Sequence, residues 1–115
     1  MANFESTRRS GFRISFDNGL YVSVQWGAGT YSDNHMNFDF TFSEDAESNS
    51  AEVAVIYEEK DLFIDPQEFS TTDLDTDGMV AGYLSAEQVA EIIFYASTIS
   101  KDRIAELVNK YKDLY

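Results

Sequence analysis

Apolar and polar residues alternate through the first half of the chain. Phe12, Ile14 and Phe16 alternate with Arg13, Ser15 and Asp17, and Leu20, Val22, Val24 and Trp26 alternate with Tyr21, Ser23 and Gln25. A period of two is the signature of a strand with one buried face. Gly11 to Gly27 therefore reads as a β-hairpin, and its register follows from the apolar rows. A two-residue Asn18-Gly19 turn pairs Phe16 with Tyr21 and Ile14 with Ser23, which sends the two rows to opposite faces. A three-residue loop, Asp17-Asn18-Gly19, pairs Phe16 with Leu20, Ile14 with Val22 and Phe12 with Val24, so that all six share one face. Glycine in the third loop position supplies the left-handed residue such a loop needs.

The alternation continues. After a polar, glycine-containing loop over 27–34, Met36, Phe38, Phe40 and Phe42 alternate with Asn37, Asp39 and Thr41 as a third strand. The charged run Ser43 to Ser50 reads as a loop, and Val53, Val55 and Tyr57 as a fourth strand. Glu58 to Asp61 then forms a hairpin tip before a short fifth strand, Leu62 to Ile64, which Asp65-Pro66 ends. Residues 65–78 read as loop, and Met79 to Tyr83 as one more short strand.

The period then changes to that of a helix. Val89, Ile92, Ile93 and Ala96 form one apolar stripe, and Ile104, Leu107, Val108 and Tyr111 form a second. Ser85 caps the first helix, with Gln88 three residues later completing a capping box. Thr98-Ile99-Ser100 separates two helices, although a single bent helix keeps the same stripe. Strands first and helices last predict an α+β fold. The expectation is a single domain over 1–115, an antiparallel meander of four to six strands with one or two C-terminal helices on one face. Residues 1–10 would be a flexible arm. The predicted core is Leu20, Val22, Val24, Phe38, Phe40, Val53, Val55, Ile92, Ile93, Leu107 and Val108.

Composition adds the charge. The 115 residues carry 21 acids and 8 bases, a net charge of −13, with aromatics at 15 %. That aromatic content, in alternating patterns, argues for a folded chain rather than an acidic disordered one. The excess is local: residues 33–91 hold 16 acids against Lys60 alone, a net −15, while each flank carries +1. Such a field repels nucleic acid and anionic membranes and attracts cations and basic protein surfaces; as plain solubilising charge, it needs no partner. There is no cysteine, so no disulfide framework or thiolate metal site is expected. No apolar run approaches the roughly 20 residues of a membrane helix. Met1 to Ser10 has Arg8 and Arg9 without an apolar stretch behind them, which is not a signal-peptide pattern. A cytoplasmic protein is expected.

Catalytic signatures are weak. Gly27-Ala28-Gly29-Thr30 lacks the lysine and following helix of a phosphate-binding loop, and His35, the single histidine, has no nucleophile frame around it. The best local motif is Asp73-x-Asp75-x-Asp77-Gly78, the first half of an EF-hand calcium loop. Its second half fails, with Ala81 at the ninth position and Leu84 where a bidentate glutamate belongs. Asp73, Asp75 and Asp77 are therefore weak metal candidates, and a solvated acidic loop is the plainer account. No cofactor is expected.

The acids themselves are the remaining signal. On a strand, residues i and i+2 project from one face about 6.6–6.8 Å apart, close to the spacing of phosphates on a nucleic-acid strand. Asp39, Glu52, Glu58, Glu59, Asp61, Asp73, Asp75 and Asp77 are the candidate contacts for a basic partner. The aromatics among them, Tyr57, Phe63 and Phe69, are the candidate anchors.

Phe16 to Gly27 follows the pattern F-x-N-G-x-x-V-S-V-Q-x-G, and Val80 to Val89 follows V-x-G-x-x-(S/T)-x-E-x-V. Over Gly11 to Gly29 and Val80 to Ile93, about a third of the chain, the sequence resembles a group of small acidic proteins encoded by phages and mobile elements. The shared motifs are a hairpin and a helix cap, so they carry over no catalytic residue. The resemblance implies a setting: such proteins are often inhibitors of host defence, of the anti-CRISPR or anti-restriction type. Together these readings predict a non-enzymatic acidic inhibitor, a nucleic-acid mimic in charge, that blocks a basic surface of a host nucleic-acid-processing protein. It would contact neither nucleic acid nor membrane directly. The alternatives are a Ca²⁺-binding module at Asp73, Asp75 and Asp77, or a soluble acidic domain with no charge-driven partner.

Overall fold

The computed structural model describes residues 3–6, 11–26 and 50–114. The predicted third strand with Phe38, Asp39 and Phe40, the glycine loop after Gly27 and His35 lie outside the described residues. Within them the chain is α+β: seven antiparallel strands and two C-terminal helices.

Strands β2 (Gly11–Ser15) and β3 (Leu20–Gln25) form the hairpin in the three-residue register, with Phe12 opposite Val24 and Ile14 opposite Val22. The Phe16 amide donates to the Leu20 carbonyl at 2.9 Å, and Gly19 takes a φ of +93°. β3 pairs directly with β4 (Ala51–Tyr57), Leu20 opposite Tyr57 through Gln25 opposite Glu52. The opposite edge of β4 is shared. Val55 to Tyr57 pair with β5 (Leu62–Ile64), and Ala51 to Ala54 pair with β7 (Val80–Leu84), which itself pairs with the two-residue β6 (Asp75–Thr76).

Three expectations change. Asn3–Ser6, assigned to a flexible arm, is an edge strand, β1, against β2. Phe4 stacks on Phe12 with ring centroids 5.3 Å apart, and Glu5 meets Arg13 at 3.4 Å. Four residues show little periodicity, and their partners exist only once the hairpin has formed. Residues 65–78, read as loop, contain a 3₁₀ turn, Pro66–Phe69, as well as β6. The strand count rises to seven because β1 and β6 are too short to leave a pattern.

Helices α1 (Ala86–Thr98) and α2 (Lys101–Lys112) lie on one face of the sheet, α1 over β3, β4 and β7 and α2 over β5. They are two helices because Ile99 and Ser100 leave helical geometry and the Ser100 hydroxyl accepts the Arg103 amide at 3.1 Å. The capping box forms as expected, with Gln88 N–H on the Ser85 hydroxyl at 3.2 Å and Ser85 N–H on the Gln88 side-chain Oε1 at 2.9 Å. Ile92 and Ala96 of α1 and Ile104, Leu107 and Tyr111 of α2 bury against Leu20, Val22, Val24, Val53, Val55 and Ile64. Ile93 and Val108, expected in the core, sit half-buried at its rim. The Asn18 amide donates to the Ala96 carbonyl at 2.8 Å, so the hairpin loop satisfies a carbonyl that the end of α1 leaves open. Among the described residues no helix is long and apolar enough to cross a membrane.

Leu107, fully buried, anchors α2. Leu107→Ala should cost about 2–5 kcal/mol in urea denaturation. Gly19→Ala should cost more than the roughly 1 kcal/mol of a left-handed alanine, because the new methyl would lie 3.0 Å from the Tyr57 ring. A Gly19→Ala protein as stable as the parent would mean that the loop rearranges.

Candidate functional site

The acidic middle of the chain divides once its hydrogen bonds are counted. Several carboxylates are spent inside the fold. The Asp65 carboxylate caps the 3₁₀ turn through Gln67 N–H and accepts the Thr76 hydroxyl, both at 3.0 Å. Asp77 accepts the Met79 and Val80 amides at 2.9 Å each and so closes the β6–β7 turn. These backbone hydrogen bonds, Val80 first, hold its carboxyl below the usual aspartate value. Glu91 on α1 accepts the Thr71 hydroxyl at 2.6 Å, the Ser70 hydroxyl at 2.7 Å and the Thr71 amide at 2.9 Å, which lowers its carboxyl too.

Glu68 is the most embedded of these carboxylates. One oxygen meets Lys110 Nζ at 2.6 Å and the Tyr111 hydroxyl at 2.8 Å; the other meets Arg103 at 3.3 Å. Burial pushes this carboxyl up, but the hydrogen bonds from Lys110 and Tyr111 and the charges of Lys110 and Arg103 outweigh it and hold it below its ordinary value. The network ties α2 to the 3₁₀ turn. Sequence reasoning missed it, because its partners lie 35 to 43 residues away. The one local signal was Arg103 and Lys110 sharing a helix face beside the apolar stripe.

A further five acids face solvent, Glu59 with the Tyr57 hydroxyl on it. Glu58, Glu59 and Asp61 stand exposed at the β4–β5 tip, and Asp73 and Asp75 stand exposed before β7. Among the described residues no ion pair neutralises any of these five. They form two groups: Glu58, Glu59 and Asp61 follow the end of β4 beside the hairpin loop, where the Glu58 amide donates to the Gly19 carbonyl at 3.0 Å, and Asp73 and Asp75 lie by the outer strand β6, Asp75 opposite Gly82. Glu52 is half-buried on the sheet face opposite the helices, paired with Gln25. Asp73, Asp75 and Asp77 do not converge: no three potential ligands among the described residues are placed to hold a metal ion. In place of an EF-hand wrap, Asp75 enters β6 and Asp77 caps a turn.

The three proposed aromatic anchors separate. Phe69 is a correction: at 1 % exposure it belongs to the core, drawn in by the 3₁₀ turn, and cannot anchor a partner. Phe63 is half-buried opposite Ile56 on the face away from the helices. Tyr57 is half-buried on the helix side, and its hydroxyl donates to Glu59 at 2.8 Å. That bond raises the phenol above its usual value. Tyr57 lines a groove of about 460 Å³ between the hairpin loop and α2, with Asn18, Lys101, Ile104, Ala105 and Val108.

Tyr83 was not foreseen as a site residue. Gly82 and Tyr83 together face the single residue Glu52, a β-bulge that puts Tyr83 at φ +55° and leaves it 47 % exposed. It borders a depression of about 250 Å³ with Asp75, Asp77 and Val80. A non-glycine residue in that backbone region carries strain of about 1 kcal/mol or more. The glycine inside a strand pattern was the available signal for a bulge.

Because the folded-state carboxyl of Glu68 is lowered, its contribution is fully present above the unfolded value of 4.5 and fades as pH falls through the folded one. Glu68→Gln should cost about 1–3 kcal/mol at pH 7. In urea denaturation, the gap between parent and variant should narrow steadily below about pH 4.5; a constant gap would mean that the amide replaces the carboxylate fully.

No protein-family profile, curated protein or solved structure matches this chain.

Proposed function

We propose that this chain is a non-enzymatic acidic binding protein, phage-encoded, that inhibits a host-defence or nucleic-acid-processing protein by occupying its basic surface. The observation that carries this reading is the segregation of the acids. The structural carboxylates have partners inside the fold, while Glu58, Glu59 and Asp61 at the β4–β5 tip and Asp73 and Asp75 beside β6 are left exposed, without ion pairs among the described residues. Exposed, unpaired acids of this kind steer a basic partner and repel nucleic acid. Tyr57 and Tyr83, partly exposed beside these acids, supply apolar area where aromatics do most at interfaces. The resemblance of Phe16–Gly27 and Val80–Val89 to phage proteins supplies the setting, the host cytoplasm. Nucleic-acid mimicry is the finer form of the proposal.

The test begins with affinity capture from a bacterial lysate and elution in graded salt. For the captured protein, the association rate should fall steeply between roughly 50 and 500 mM salt as screening shortens the field. Replacing Glu58, Glu59 and Asp61 together by their amides should slow association about tenfold at low salt, with little change in melting temperature. A rate indifferent to salt, or to this triple change, would reduce the acidity to a matter of solubility.

A further inference from the structure

Among the described residues, two tyrosine rings hold a cation that a carboxylate also holds. The Arg13 guanidinium lies 4.5 Å from the Tyr21 ring centroid and 3.4 Å from Glu5. Lys110 lies 5.3 Å from the Tyr111 ring centroid and 2.6 Å from Glu68, which also accepts the Tyr111 hydroxyl at 2.8 Å. Tyr57 and Glu59 repeat that last arrangement, hydroxyl to carboxylate at the same 2.8 Å, with no cation on either among the described residues. Tyr57 of this pair lines the groove between the hairpin loop and α2.

We propose that the Tyr57–Glu59 pair and its groove receive an arginine side chain from the partner. The inference rests on the acidic-binding reading above and narrows it to one place and one chemistry. A tyrosine face and a carboxylate together attract a cation by quadrupole and charge. The hydrogen bond to Glu59 fixes where both stand, so little ordering remains at binding. Gly19 packs against one side of the Tyr57 ring, where a Cβ would come within 3.0 Å, and so backs the ring from the loop. Ile104, Ala105 and Val108 give the groove an apolar wall for an aliphatic stem, and the Asn109 side-chain amide offers an acceptor beyond it. Arginine suits this site better than lysine. Its planar guanidinium stacks on a ring while its N–H groups reach several acceptors at once. Glu58 and Asp61, exposed on the same tip, raise the local concentration of cationic segments around the groove.

The test titrates the full ¹⁵N-labelled chain with hexa-arginine peptide at low salt and follows amide shifts. Saturable shifts should centre on Gly19, Tyr57, Glu59, Ala105 and Asn109. Tyr57→Leu and Glu59→Gln should each weaken binding about 3- to 10-fold. Ala105→Trp, an uncharged change at an exposed helix position, should block the groove while the spectrum shows an intact fold. Hexalysine should bind more weakly; equal affinity would overturn the arginine assignment. Shifts centred on Asp73 and Asp75, with Tyr57→Leu and Ala105→Trp silent, would overturn the groove and leave the acidic-binding reading standing. No binding of either peptide at low salt would overturn both.

Discussion

Strand β4 is hydrogen-bonded along both edges and buried on both faces, and the other elements take their places from it. Val53 and Val55 are fully buried toward the helices; Ala54 and Ile56 are buried on the opposite face. Each such side chain removed from water stabilises by about 1–3 kcal/mol, so this strand alone supplies a large share of a small domain's stability. β3 occupies one edge completely. The other edge is divided between β5 and β7, and that division sends the chain out through the 65–79 segment and back. The β6–β7 turn, the 3₁₀ turn with Phe69 and the bulge at Tyr83 all belong to this excursion.

The excursion needs internal carboxylates because it has so little sheet. Asp65, Asp77 and Glu91 bind amides and hydroxyls that would otherwise have only water, and Glu68 fixes it to α2. A half-buried carboxylate needs hydrogen bonds in place of lost water, and Glu68 receives them from Lys110, Tyr111 and Arg103. The same arrangement pairs Arg103 and Lys110 with Glu68, which offsets part of their charge and leaves the exposed acids less opposed. Stability and charge presentation thus draw on one set of side chains.

Much of the fold was legible locally. The hairpin register followed from six apolar side chains that had to share a face, and the three-residue loop from Gly19. The capping box at Ser85 and Gln88 and the two helical stripes were equally plain, because a period of 3.6 or 2 is written in adjacent residues. β1 and β6 were not legible, since four- and two-residue strands exist only by pairing with neighbours already in place. The candidate site was read less well. Glu58, Glu59 and Asp61 were found as exposed acids, but Phe69 was taken for an anchor when it closes the core, and the cation motif at Asp73, Asp75 and Asp77 became a short strand and a capped turn.

The sequence by itself determined the class of fold, the hairpin register, the helix starts and the concentration of negative charge in the middle of the chain, since each rests on spacing between near neighbours. Only the tertiary structure decided which acids are spent and which are free, and that Tyr57 stands beside Glu59 at a groove while Tyr83 is turned outward by a bulge. A carboxylate's role depends on what lies within about 3 Å of it, and for Glu68 and Glu91 those partners come from 20 to 43 residues away, a distance over which no local pattern carries information.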